Sequence, residues 1–127
     1  MDGDVQVMSG KITSFKQLRV WQQGVEIVKD VYTLTRRFPQ AEMYGLTAQM
    51  RRASVSIPSN IAEGFKRSHT REYKQFLHIA LGSAAELETQ LMIAKELQFI
   101  NDAALNGILE KITYASKMLP VLVSRLH

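Results

Sequence analysis

The sequence predicts an all-α protein, an antiparallel up-down-up-down four-helix bundle. Four separate stretches carry apolar residues at three- and four-residue steps, the spacing of one helix face. No stretch alternates apolar and polar residues between hairpin turns, as a strand would. The stretches are joined by short polar segments, as helices packed side by side require. A chain of 127 residues, 46% hydrophobic and 22% charged, suits one globular domain. We expect that domain over residues 14–127, preceded by a flexible tail at 1–13 whose small and polar residues show no period.

The first helix is expected to begin near Ser14, a residue able to cap a first turn. Its stripe runs through Phe15, Leu18, Trp21, Val25, Val28, Tyr32 and Thr35, widened by Val31, Leu34 and Phe38, and Pro39 stops it. The second places Leu46, Met50, Ala53, Ile57, Ile61 and Phe65 on one side and keeps its phase across Pro58. That continuity predicts one kinked helix rather than two. Ser54, Ser56, Ser59 and Asn60 stand ready to bond backbone groups freed by the proline. The third, from about Thr70 to Leu97, shows a near-heptad seam through Tyr73, Phe76, Leu77, Ala80, Leu81, Ala84, Leu87, Leu91, Ala94 and Leu97. The fourth is expected from an Asp102 cap to Leu126, through Leu105, Ile108, Leu109, Ile112, Ala115, Leu119 and Leu122, with Pro120 kinking or fraying its last turns. Trp21, Tyr44, Phe65 and Phe99 exceed the apolar surface one four-helix core needs, which points to self-association; the alternative is that they rim the core.

Enzyme chemistry finds no foothold. There is no cysteine, so thiolate nucleophiles and thiolate metal sites are excluded. No glutamate precedes a histidine by three positions, which removes the usual di-metal bundle motif. His69, His78 and His127 read as isolated histidines. Glu86 and Glu88 point about 200° apart on a helix and cannot share one site within the chain. We expect no catalytic residue, no metal and no cofactor. No apolar run reaches the ~20 residues that span a bilayer, and MDGDVQVMSGK lacks the apolar core of a signal peptide. The expected location is cytoplasmic, with no membrane partner.

The basic residues are more informative. A net charge of +4 and a pI near 9.5 lean toward an acidic partner such as nucleic acid. Arg36, Arg37, Arg51 and Arg52 gather near the first loop. Lys66, Arg67, Arg71 and Lys74 gather around the second turn, at the opposite end. The nucleic-acid candidates are Arg51, Arg52, Lys66, Arg67, Arg71 and Lys74. Solvated faces and cations at helix C-termini account equally for Arg36, Arg37, Lys66 and Arg67. Arg51 and Arg52 project about 100° apart, so one is expected to turn inward toward a carboxylate, Glu63 or Glu86, while the other stays exposed. Tyr44 and Tyr73 could stack on unpaired bases, with core packing the expected role of Tyr73.

Three segments carry a resemblance: FKQLRVWQQGVEI, RRFPQAEMYGLTAQMRRASVSIPSNIAEGFKR and EYKQFLHIALGSAAELETQL. Together they resemble the four-helix bundle proteins encoded in 23S rRNA intervening sequences, over about residues 14 to 100. YGLT-x-Q-x-RRA-x-x-SIP-x-NIAEG is its most specific part; His69 departs from it, standing where relatives often carry a small polar residue. The resemblance implies a fixed Pro58 kink. It also implies a homopentameric ring with an electropositive surface, because a related branch serves as the accessory protein of diversity-generating retroelements, binding nucleic acid and reverse transcriptase. It supplies no catalytic residues. The expected function is therefore a nonenzymatic oligomer that binds RNA, including 23S rRNA, or single-stranded DNA. The alternative is a protein-interaction scaffold, such as a reverse transcriptase accessory subunit, with no direct nucleic-acid role.

Overall fold

A computed structural model describes residues 11–127, and every secondary-structure element in it is helical. The helices are α1 (Arg19–Thr35), α2 (Leu46–Phe65), α3 (Thr70–Glu96) and α4 (Asp102–Arg125), with short 3-10 turns at Phe15–Gln17 and Gln40–Glu42. Packing is cyclic: α1 against α2, α2 against α3, α3 against α4, and α4 back against α1. This four-sided arrangement encloses one core, with Ile27, Met50, Ile57, Ile61, Leu77, Leu87, Leu91, Ile112 and Leu119 fully buried. Truncating one such side chain to alanine costs about 2–5 kcal/mol. The expected tail, 1–13, falls mostly outside the described residues. Of its last three residues, Ile12 packs against the core and the Thr13 amide donates to Gln17 Oε1 at 2.8 Å.

Ser14 does cap a turn, but not the α-helix. Its side chain and that of Gln17 form a reciprocal capping box around the 3-10 turn. Leu18 then adopts extended backbone, and α1 begins at Arg19. The helix ends at Thr35, four residues before Pro39, because Phe38 leaves the helical path to pack on Phe99 with ring centroids 5.4 Å apart. The buried line of α1 is Val20, Gly24, Ile27, Val31 and Thr35; of the expected stripe Val31 and Thr35 lie on it and Leu18 is buried just before it, whereas Trp21, Val25, Val28 and Tyr32 fall one position off. Gly24 explains the rotation. A Cβ there would lie 3.2 Å from Pro58 Cβ, so α1 turns its glycine, not its flanking valine, toward α2.

The second helix is continuous through Pro58, which is itself buried. Met50, Ala53, Ile57 and Ile61 are buried as their spacing predicts. The flanking polar residues do bond to nearby backbone, Ser54 Oγ donating to the Arg51 carbonyl at 2.8 Å and Asn60 Nδ2 to the Ser56 carbonyl at 2.7 Å, but neither acceptor is the Ser54 carbonyl that the proline frees. Gly64 lets α3 return closely, since a Cβ there would sit 2.8 Å from Phe76 Cβ.

The third helix buries Leu77, Ala80, Ala84, Leu87, Leu91 and Ala94. Leu97, expected to continue that seam, is the C-cap and is 52% exposed. The chain has already left the helix there. Gln98 adopts φ 65°, the Phe99 amide donates to the Ala94 carbonyl and the Gln98 amide to that of Lys95. Those two bonds are a Schellman ending, with Phe99 carrying its hydrophobic contact. The N-cap of α4 is Asn101 rather than Asp102: Asn101 Oδ1 accepts from the Ala104 amide at 2.8 Å. Helix α4 continues past Pro120 to Arg125.

The apolar excess is redistributed. Trp21, Phe65 and Phe99 are half-buried among the chain's own rings: Trp21 lies 5.3 Å from Phe15, and Phe65 6.5 Å from Phe15 and 6.1 Å from Tyr73. Only Tyr44 of the four is exposed, at 93%. The exposed aliphatic residues lie elsewhere, at Val55, Ile79, Ile93 and Leu97.

Candidate nucleic-acid interface

The basic residues form two groups. In the first, the tie between α1 and α2 orients the arginines. Thr35 Oγ1 donates to the Val31 carbonyl at 2.7 Å, leaving its lone pairs to accept Arg51 Nε at 3.0 Å. The Arg51 guanidinium also lies over the Tyr32 ring, 4.6 Å from its centroid. Arg51 is therefore the inward arginine, as expected of one of the pair. Its partners are a hydroxyl and an aromatic face, not the expected carboxylate. Arg52 stays exposed and faces Glu86 along a cleft of about 450 Å³, without an ion pair between them. Glu63, the other expected partner, sits 3.9 Å from Arg67 instead.

In the second group, Lys66 and Arg67 follow the last residue of α2, while Arg71 and Lys74 belong to the first two turns of α3. The short connection between α2 and α3, residues 66–69, brings all four to one end. Arg67 is partly committed, lying over the Phe76 ring at 4.7 Å besides meeting Glu63. Lys66 and Arg71 are exposed and Lys74 half-buried. Their positions on the helices separate them energetically. Lys66 and Arg67 complement the negative C-terminal end of α2, whereas Arg71 stands in the first turn of α3, where a cation is disfavoured, and Lys74 lies one turn further on. The helix ends thus account for the first two but not for the second two.

The aromatic candidates separate likewise. Tyr73 packs on Phe65, and burial pushes its hydroxyl pKa up to about 12. It is a core residue. Tyr44 presents a free ring beside the first group. Sequence spacing alone could not find Tyr32 as the support of Arg51, because the contact joins two helices sixteen or more residues apart. Among the described residues no cluster of three or more His, Asp or Glu side chains could hold a metal ion, and no helix is long and apolar enough to cross a membrane.

Comparison with known proteins agrees with this architecture. A crystal structure from Bacteroides thetaiotaomicron, of a protein with unknown function from the S23 ribosomal protein family, superposes with a TM-score of 0.77. It is 22% identical, and the match covers 82% of this chain and 97% of that one, a likeness of fold. No curated protein matches the sequence. The family model of the 23S rRNA-intervening sequence protein matches residues 16–120, from the capped first turn to Pro120 and so across all four helices. The chain belongs to the 23S rRNA-intervening sequence protein family.

Proposed function

We propose that the protein is a nonenzymatic, cytoplasmic nucleic-acid-binding oligomer, with RNA, including 23S rRNA, favoured over single-stranded DNA. The observation that carries this reading is Arg71 and Lys74 at the N-terminal end of α3. There Arg71 opposes the helix dipole, and neither residue has a carboxylate within ion-pair distance among the described residues. Cations gathered at one end without carboxylate partners suit an anionic partner. Lys66 and Arg67 extend the same end, and phosphates are the anions such a group meets without regard to sequence. Arg51 and Arg52 form a separate group at the other end.

The assembly we propose is an antiparallel up-down-up-down bundle, bent at Pro58 and repeated as a homopentameric ring. Four contacts support the antiparallel order. Late α1 meets early α2 through Thr35 and Arg51, and Ser56 meets Ser83 at 2.8 Å. Late α2 meets early α3 at Gly64 and Phe76, and Asp30 meets Lys111 at 2.7 Å. Ring repetition would gather several copies of the Lys66–Lys74 end into one surface, where weak phosphate contacts sum.

Binding to structured rRNA fragments and to single strands, measured by anisotropy across a salt series, tests the reading. We expect little dependence on base sequence and a steep fall with salt, each neutralised phosphate adding about 0.7–0.9 to the logarithmic slope. Changing Lys66, Arg67, Arg71 and Lys74 together to glutamine should weaken binding on every sequence and flatten that slope, with helicity unchanged. Folded wild-type protein that binds neither ligand at micromolar concentration would leave the scaffold reading, a reverse transcriptase accessory subunit among its forms. The fully exposed Tyr44 ring favours that second reading.

A further inference from the structure

Arg51 is fixed at two points, and neither answers its charge. Its Nε donates to Thr35 Oγ1 at 3.0 Å, and Thr35 is itself buried and tied to the Val31 carbonyl at 2.7 Å. Its guanidinium lies over the Tyr32 ring, 4.6 Å from the centroid. Both partners are neutral. A charge drawn partly out of water ordinarily has a counter-charge. Among the described residues, no carboxylate lies within ion-pair distance of half-buried Arg51. The Nε bond also decides which edge of the guanidinium is left. Five N–H donors form its planar fork. With Nε turned to α1, the Nη1–Nη2 end remains, and it makes no hydrogen bond within the described chain.

Arg51 lines a recess of about 560 Å³ between α1 and α2, together with Tyr32, Ala48, Arg52, Val55 and Ser56. Arg52 is exposed there and likewise unpaired; Glu86 lines the cleft on its other side but not this recess. Ser56 Oγ is already engaged by Ser83 and Asn60. The rest of the wall is mostly apolar. The recess therefore holds two positive charges and no negative one. Arg36 and Arg37, which follow Thr35 at the end of α1, raise the positive potential around it.

Two unanswered charges in one recess suit a dianion. A carboxylate or a backbone phosphodiester carries a single negative charge. A phosphate monoester carries about −1.5 to −2 at pH 7 and presents three acceptor oxygens. Arginine meets such oxygens two at a time, and a fork set beforehand saves the ordering cost of binding. The recess is also roomier than a phosphate alone requires, and Tyr32 and Val55 give the attached group an apolar wall. We infer that Arg51 and Arg52 form a phosphomonoester site, with Arg51 the preset fork on two oxygens and Arg52 closing on the third. The phosphate is the 5′ end of a nucleic-acid strand or that of a free nucleotide. The site reads a terminal phosphate, whereas the Lys66–Lys74 end meets backbone phosphates, so it goes beyond the nucleic-acid reading and does not depend on it.

A single-stranded RNA labelled at its 3′ end, made once with a 5′-phosphate and once with a 5′-hydroxyl, tests the site by anisotropy. The phosphorylated strand should bind roughly tenfold tighter, the low end of what a charge-assisted hydrogen bond contributes. In parallel, adenosine 5′-monophosphate should shift the Arg51 Nε–H resonance of the isotope-labelled chain, and adenosine at equal ionic strength should not. Arg51→Lys keeps the charge and loses the fork; Thr35→Val keeps the guanidinium and loses its anchor. Each should bring the two strands to equal affinity, with helical circular dichroism intact. Changing Lys66, Arg67, Arg71 and Lys74 to glutamine should weaken both strands and keep their ratio. A monophosphate response without a strand preference makes a free nucleotide the source and supports the site. The same response with neither strand bound supports the site and removes the nucleic-acid reading. With no response and no preference the site is overturned, and strands that still bind leave the nucleic-acid reading standing. A strand preference that survives both Arg51→Lys and Thr35→Val places the terminal phosphate elsewhere, and the inference fails.

Discussion

Two prolines interrupt two helices of this molecule, and they do different things. Pro58 lies in the middle of α2, buried, its ring facing Gly24 of α1 so closely that an added Cβ there would lie 3.2 Å away. Pro120 lies five residues before the end of α4 and is exposed. Both remove one helical hydrogen bond, leaving the carbonyls of Ser54 and Ser116 without their usual donors. Around Pro58 the lost bond is embedded in a polar set, with Ser54, Ser56, Asn60 and Ser83 all hydrogen-bonded and the ring filling space that α1 has left open with a glycine. Around Pro120 no other helix is matched to the ring, and the freed carbonyl lies near the helix end, where water can reach. A helix-interior proline is thus part of the packing at one site and only tolerated at the other.

The most forceful way to break this comparison is from the opposite helix. Gly24→Val would drive a branched side chain into the Pro58 ring, and overpacking of this kind costs about 1–3 kcal/mol, occasionally more. We expect a loss of about 3 kcal/mol in denaturant unfolding, because neither partner is the end of a flexible chain. A loss below about 0.5 kcal/mol would mean that α1 and α2 can separate freely and that Pro58 packs against nothing rigid.

Pro120→Ala comes next and has the opposite sign. Intrinsic propensity favours alanine over proline by about 3 kcal/mol in a helix interior, and near a terminus part of that is already lost to fraying. We expect a gain of about 2 kcal/mol. Pro58→Ala should give the smallest change, within about 1 kcal/mol of zero, since the restored backbone donor is offset by the loss of ring contact with Gly24. If Pro58→Ala matched the gain of Pro120→Ala, with assembly unchanged, the two prolines would be alike and the buried one would have no packing role.

How much of this was legible beforehand differs between elements. Periodicity located all four helices, because burying one face forces a 3.6-residue recurrence on the sequence. It placed most of the apolar core of α2, α3 and α4, though not the polar residues buried with it, and it carried the α3 seam one step too far, to Leu97. In α1 it missed by one position at Trp21, Val25, Val28 and Tyr32, though not at Val31 and Thr35, because the deciding contact is a glycine, which hydropathy reads as nothing. The candidate site was legible as a set of charges but not as an arrangement. That only one of the two arginines turns inward follows from helical geometry, whereas its being Arg51, with Thr35 and Tyr32 as partners rather than Glu63 or Glu86, depends on which side of α2 meets α1.

By itself, the sequence determined the all-helical class, the count of helices, the absence of thiol chemistry and the family to which the chain belongs. Each of these follows from local pattern or composition, which needs no knowledge of what lies across the core. Only the tertiary structure decided the rotation of α1, the burial of Trp21, Phe65 and Phe99 against their own chain, and the exposure of Ile79, Ile93 and Leu97. These depend on how closely two helix axes approach. That distance is set where backbones touch, at Gly24 on Pro58 and Gly64 on Phe76, between residues far apart in the sequence.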